Sequence, residues 1–163
     1  SKVTFGSGGL SFAAAGTKLF KLLVRQRTSM IVSSDKVNQL RHTDFFKDKN
    51  DVLSHMKKHA ELVKPKFEVV FNALDSLNPE IGSYKKPTGG YFISYNTSKP
   101  IAKRVIALCE EAGLLVTPAG STFPKFNDPA DSNIRLAPTF LPIDDLKEAM
   151  EVFTTALEIA FQE

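Results

Sequence analysis

The chain has 163 residues, 42% of them hydrophobic and 24% charged, and a net charge of +3. That is enough for one domain, or for a small domain plus part of another. The mild positive charge is not gathered into a Lys/Arg stripe of the kind that grips nucleic acid, and no apolar run approaches the roughly 18 residues of a membrane span. The single cysteine, Cys109, excludes an internal disulfide and fits a reducing compartment such as the cytoplasm.

The chain opens abruptly at Ser1-Lys2, which predicts that it continues a longer polypeptide. Val3–Phe5 and Leu10–Ala15 are short, apolar segments on either side of the turn Gly6-Ser7-Gly8-Gly9, and they read as strands or extended segments. Gly16-Thr17 opens a helix with Thr17 as N-cap, and Leu19, Phe20, Leu23 and Val24 form its expected buried stripe. Ser33-Ser34-Asp35 starts the next helix. Val37, Leu40 and Phe45 recur along one of its faces. Between them lie Asn38, Gln39, Arg41 and His42, read either as a solvated face, the favoured reading, or as the edge of a site.

The polar run Lys47–Asp51 is the expected domain boundary, separating residues 1–46 from residues 47–163. A long helical pattern follows, from Val52 to Leu77, with Pro65 inside it. Proline removes a backbone bond there, so a kink or a restart is expected. Then come a weak strand at Ile81–Tyr84 and a strong aromatic one at Tyr91–Tyr95. A helix follows with Pro100 in its first turn and Gly113 as its capping glycine. Leu114–Thr117 reads as a strand, 118–132 as a long loop and Asn133–Ala137 as another strand. The last helix opens at Pro142 and packs through Leu146, Met150, Phe153, Leu157 and Phe161. The alternation from residue 81 onward predicts a small α+β sheet layer with helices on one side.

No metal cluster is legible: His55 and His59 lie one helical turn apart but lack a third ligand. Cys109 falls on a helix core face and reads as packing. Two residues carry candidate chemistry. Arg135 interrupts an apolar strand after the long loop. It is either an edge arginine paired to a surface carboxylate or a clamp for a substrate carboxylate, since guanidinium binds carboxylate through two parallel charge-assisted bonds. Lys2 is either a solvated surface lysine or, held in an apolar glycine-rich setting, an amine able to form Schiff bases.

The segment Ser1-Lys2-Val3-Thr4-Phe5-Gly6-Ser7-Gly8-Gly9 resembles the Ser-Lys-x-Thr-Phe-x-x-x-Gly segment around the cofactor lysine of fold-type-I pyridoxal-phosphate-dependent aminotransferases. Asp35–His42 with Phe45-Phe46, Pro87–Ser94, Ala112–Pro124 and Asn133–Pro138 resemble further segments of that family in the same order. The nearest resemblance is to aspartate-type members related to the transferase domain of MocR regulators. It implies pyridoxal 5'-phosphate as cofactor, an amino acid and a 2-oxo acid as substrates, and a homodimer. Lys2 would hold the cofactor covalently and later shuttle the substrate proton. Arg135 would grip the substrate α-carboxylate, while Ser7, Gly8 and Asn38 would lie against the cofactor. Residues 1–46 would be the tail of the large cofactor domain and residues 47–163 the small domain. Many relatives carry a phosphate-binding arginine eight residues after the lysine, where this chain has Leu10. The residues that hold the cofactor ring precede the lysine in this family, so the chain alone is expected to be inactive. The rival readings are an effector-sensing domain of a transcription regulator and a non-enzymatic α+β interaction domain.

Overall fold

Apolar alternation decides the sheet. In the computed structural model, which describes every residue except Ser1, Lys2 and Ser7, the elements run α1 (Thr17–Met30), α2 (Lys36–Phe45), α3 (Lys49–Asp75), β1 (Gly82–Tyr84), β2 (Ile93–Thr97), α4 (Ala102–Glu111), a 3-10 turn (Pro124–Phe126), β3 (Asn133–Leu136) and α5 (Ile143–Gln162). They divide into two compact units, Ser1–Ala60 and Glu61–Glu163, with α3 contributing to both.

In the second unit the three strands pair antiparallel in the order β1-β2-β3. Ile93, Tyr95 and Thr97 of β2 and Ile134 and Leu136 of β3 point to the buried face, while Ser94, Asn96, Asn133 and Arg135 share the open one. Helices cover the buried face. Val70 and Leu74 of α3, Val105 and Cys109 of α4, and Leu146, Met150, Phe153 and Leu157 of α5 complete one apolar cluster with the sheet. Each such large side chain taken from water contributes about 1.5–3 kcal/mol. The predicted stripe of α5 is therefore the core of the unit, and the result is the expected small α+β layer. Cys109 is fully buried, which pushes its thiol up to about 11 and fits inert packing.

Several boundaries differ from the sequence expectation. β2 begins at Ile93 rather than Tyr91, because the ladder with β3 ends at the pair Ile93–Leu136. α4 begins past Pro100 at Ala102, the intervening turn being held by Thr97 Oγ1 donating to the Lys99 carbonyl at 2.7 Å. Leu114–Thr117 is no strand: Leu114 and Val116 pack on the core, but the segment has no ladder partner among the described residues. α3 passes through Pro65 as one helix without a restart. Gly113 does cap α4, with φ +84° and its N–H donating to the Glu110 carbonyl.

The loop 118–132 is tied down by a buried carboxylate. Asp128 accepts the backbone N–H groups of Ala130 at 3.0 Å, Ser132 at 2.9 Å and Asn133 at 2.8 Å. These bonds, led by that from Asn133, hold its carboxyl below the usual carboxylate range. A depressed folded-state value means stability that is present above the unfolded value, near pH 4, and lost as pH falls through the folded one. Asp128→Asn, which sets an NH2 group against a backbone N–H, should lower the melting temperature at pH 7. The gap to the native chain should narrow below about pH 4, as thermal melts across pH would show; a constant gap would contradict this.

The first unit inverts two expectations. None of α1 is buried: Leu19, Phe20, Leu23 and Val24 are 55, 48, 41 and 45% exposed. Helical spacing reports that a face is apolar, not that anything covers it. Thr17 is the first helical residue rather than the cap, which is Gly16 and makes no side-chain bond. On α2 it is Asn38 and His42 that are buried, while Val37 and Leu40 are 72 and 67% exposed. Val3–Phe5 and Leu10–Ala15 join no sheet.

Candidate functional site

The inverted polarity of α2 has a local cause. Asp35 caps the helix by accepting the Asn38 N–H at 2.9 Å, which sets the first turn. Asn38 and His42, four residues apart, then stand on one face. That face receives the chain's opening turn. Asn38 Nδ2 donates to the Gly9 carbonyl at 2.8 Å, and the Thr4 hydroxyl lies 2.8 Å from His42 Nε2. From α3, His55 Nε2 meets the Thr4 carbonyl at 2.9 Å. The Phe5 ring fills the space between, 4.8 Å from the ring of His42, 5.0 Å from Phe45 and 5.6 Å from Phe46. The turn closes with the Gly8 N–H donating to the Phe5 carbonyl at 3.2 Å. Gly8 fits closely there: a Cβ would sit 3.2–3.3 Å from the Phe5 side chain and from Asn38 Oδ1, which would have to give by a few tenths of an ångström. Asn38 Oδ1 itself is buried without a hydrogen-bond partner.

In the second unit, Arg135 stands on the open face of the sheet, directly opposite Ser94. Its guanidinium carbon lies 4.8 Å from the centroid of the Phe92 ring, within cation–π range. Its Nε is buried and lacks a hydrogen-bond partner. None of the ion pairs among the described residues involves it, so the paired edge arginine is not what the fold builds. Two residues along the strand, Asn133 donates to Ser94 Oγ and Asn96 Oδ1, both at 2.8 Å, and accepts from the Thr122 hydroxyl at 2.7 Å. The long loop thus reaches the open face through Thr122. A planar cation with an unmet buried donor, on a sheet face whose other polar groups satisfy one another, is suited to an incoming carboxylate.

Of the site residues expected from sequence, Lys2 and Ser7 lie outside the described residues. Gly8 and Asn38 come together in the first unit, and Arg135 stands in the second. From sequence, His42 is open as the edge of a site and His55 is weighed only as a metal ligand; missed were Thr4 and the row Thr122–Asn133–Ser94–Asn96. The signal for His42 was present, since it lies four residues after Asn38, but its partner is 38 residues away. No group of His, Cys, Asp and Glu able to hold a metal ion occurs among the described residues.

The second unit is thus a small α+β domain with an arginine on the open face of its sheet. The family model described as aspartate amino-transferase matches residues 1–163, and the chain belongs to that family. It is 41% identical over 165 residues to a protein of Mycolicibacterium smegmatis named as an aminotransferase, covering all of this chain and 39% of that one. It is 38% identical over 165 residues to the aspartate aminotransferase of Corynebacterium glutamicum, covering all of this chain and 38% of that one. A crystal structure from Corynebacterium diphtheriae, also named as an aminotransferase, superposes with a TM-score of 0.84 at 39% identity, over 91% of this chain and 37% of that chain. The chain thus spans about two fifths of the length of the curated relatives it matches.

Proposed function

We propose that the whole protein of which this chain is part is a pyridoxal-phosphate-dependent aminotransferase, moving an amino group between an amino acid and a 2-oxo acid. The observation that carries the reading is Arg135, with its buried Nε unmet among the described residues and its guanidinium beside the Phe92 ring. The reading extends to a cytoplasmic homodimer. In it residues 1–46 close a large cofactor-binding domain and residues 47–163 form the small domain.

The residues described fit such a cofactor. A Cβ at Gly6 or Gly9 would meet no atom within 4 Å, so the turn offers bare backbone that a flat phosphorylated ring can approach. Leu10 stands where many relatives have a phosphate-binding arginine, which leaves backbone N–H groups of the turn as the donors this chain supplies. Bound there, pyridoxal phosphate supplies an electron sink for the bond broken at the substrate Cα. Lys2 would hold it through Nζ and, once freed, carry a proton at that same atom. Arg135 binds the α-carboxylate through two parallel bonds and so orients the amino acid. The satisfied row Thr122–Asn133–Ser94–Asn96 keeps the neighbouring strand surface rigid while it does so.

Adding pyridoxal phosphate to the whole apo-protein should produce the absorbance band of a lysine-bound cofactor, and Lys2→Ala should abolish it. A band that survives Lys2→Ala would refute the assignment of the lysine. The absence of any band in the native protein would refute the cofactor.

A further inference from the structure

We propose that His42 and His55 are positioning residues for the cofactor lysine, acting through Thr4. This rests on the reading of Lys2 given above. Thr4 follows Lys2 by two residues in the sequence, and it is the first described residue downstream whose own groups are held by side chains. The hydroxyl and the carbonyl of Thr4 are taken up by the two rings.

The hydrogen-bond chemistry assigns each ring its tautomer. His42 Nδ1 lies 2.7 Å from the Asn38 carbonyl, which can only accept, so Nδ1 carries the proton. In the neutral ring Nε2 is then the acceptor and takes the Thr4 hydroxyl proton at 2.8 Å. His55 Nε2 faces the Thr4 carbonyl at 2.9 Å and must donate. The two histidines thus hold one threonine in opposite senses, one accepting from its side chain and one donating to its backbone. Asn38 pins the far end of the turn at Gly9 with a bond of 2.8 Å, and Phe5, packed among His42, Phe45 and Phe46, fills the middle. His42 is buried, and His55 is half-buried with its own ring 5.3 Å from Phe46, so the clamp is shielded from competing water.

An amine attacks a carbonyl productively only when the two atoms are held near reacting distance, and a misplacement of about 1 Å costs on the order of 100-fold. Two residues span at most about 7 Å of chain, so freedom gained at Thr4 passes directly to residue 2. The apolar packing of Phe5 holds that residue to α2, and the histidine bonds fix Thr4 one residue before it.

The test uses the whole apo-protein mixed with pyridoxal phosphate and quenched with borohydride at timed intervals. Peptide mapping then gives the rate of labelling at each lysine. Thr4→Val keeps the shape of the side chain and removes the hydroxyl. It should slow labelling of Lys2 about tenfold or more, with the other lysines unchanged. Thr4→Ser, which restores the hydroxyl, should return the rate to within about twofold of native. His55→Leu should slow labelling similarly, and His55→Gln, which keeps a donor, should rescue it in part. If native Lys2 is labelled and Thr4→Val and His55→Leu label it at the native rate, the clamp is refuted while the lysine reading stands. If native Lys2 is not labelled at all, both fall. If Thr4→Ser fails to rescue, the hydroxyl bond is not what positions the lysine, and the proposal is likewise overturned.

Discussion

Arg135→Leu should lower kcat/KM for the amino-acid substrate of the whole protein by about 100- to 1,000-fold, with the absorbance of the bound cofactor unchanged. The magnitude follows from two charge-assisted bonds at roughly 1.5–2 kcal/mol each, with about 1.4 kcal/mol per factor of ten. The loss should appear mainly as a weaker hold on the substrate, because the arginine touches the carboxylate and not the bonds that change. Arg135→Lys keeps the charge but loses the planar fork and the stack on Phe92, and should recover only part of the loss. Steady-state kinetics with titration of a carboxylate-bearing substrate analogue would check both. An unchanged KM and analogue affinity in Arg135→Leu would remove the clamp. A lost cofactor band would instead show that the substitution disturbed more than the carboxylate site.

Arg135 was legible because its setting was local: a charge inside an apolar strand, after a loop too long to be a mere connection. The structure adds what no spacing could reveal, namely that no carboxylate among the described residues pairs with it and that an aromatic ring more than forty positions earlier lies 4.8 Å from its guanidinium carbon. The opening turn was legible only as a type of segment. Its partners come from α2 and α3, across separations of 29, 38 and 51 residues. Local pattern therefore favoured the opposite face of α2, with Val37 and Leu40 inward and His42 in water. A buried polar face becomes possible only when every donor and acceptor on it finds a partner, and those partners lie far along the chain.

The same contrast separates the elements that matched expectation from those that did not. α5 carries its apolar residues at helical spacing and buries them, since the sheet and α3 lie on that side. α1 carries an equally regular stripe and buries none of it within the described residues. Leu114–Thr117 is apolar as a short strand can be, yet a strand needs a neighbour, and none among the described residues pairs with it. Periodicity predicts the surface an element offers. Whether that surface is used is a property of the rest of the molecule.

Phe153 tests how far the second unit depends on its shared core. Its side chain is 1% exposed and meets the Tyr95 ring edge-on at 6.4 Å between centroids and 84° between planes. It also borders a half-open pocket of about 120 Å³ lined by Val70, Leu136 and Met150 among others, so truncation adds space beside packing that is already incomplete. Phe153→Ala should therefore destabilise by about 3–5 kcal/mol, with part of that from the lost ring pair, worth roughly 0.5–1.5 kcal/mol. In urea unfolding of the whole protein, followed by hydrogen exchange at β2 and α5, the midpoint for these elements should fall by on the order of 1–2 M. Phe140→Ala, at a residue 90% exposed, should stay within about 0.5 kcal/mol of native. The burial also raises the Tyr95 hydroxyl above its ordinary range, so Phe153→Ala, by admitting water beside it, should let that value fall back. Equal midpoint shifts in the two variants would show that sheet and helices do not share a core at Phe153, and a normal Tyr95 titration in the native protein would contradict the burial.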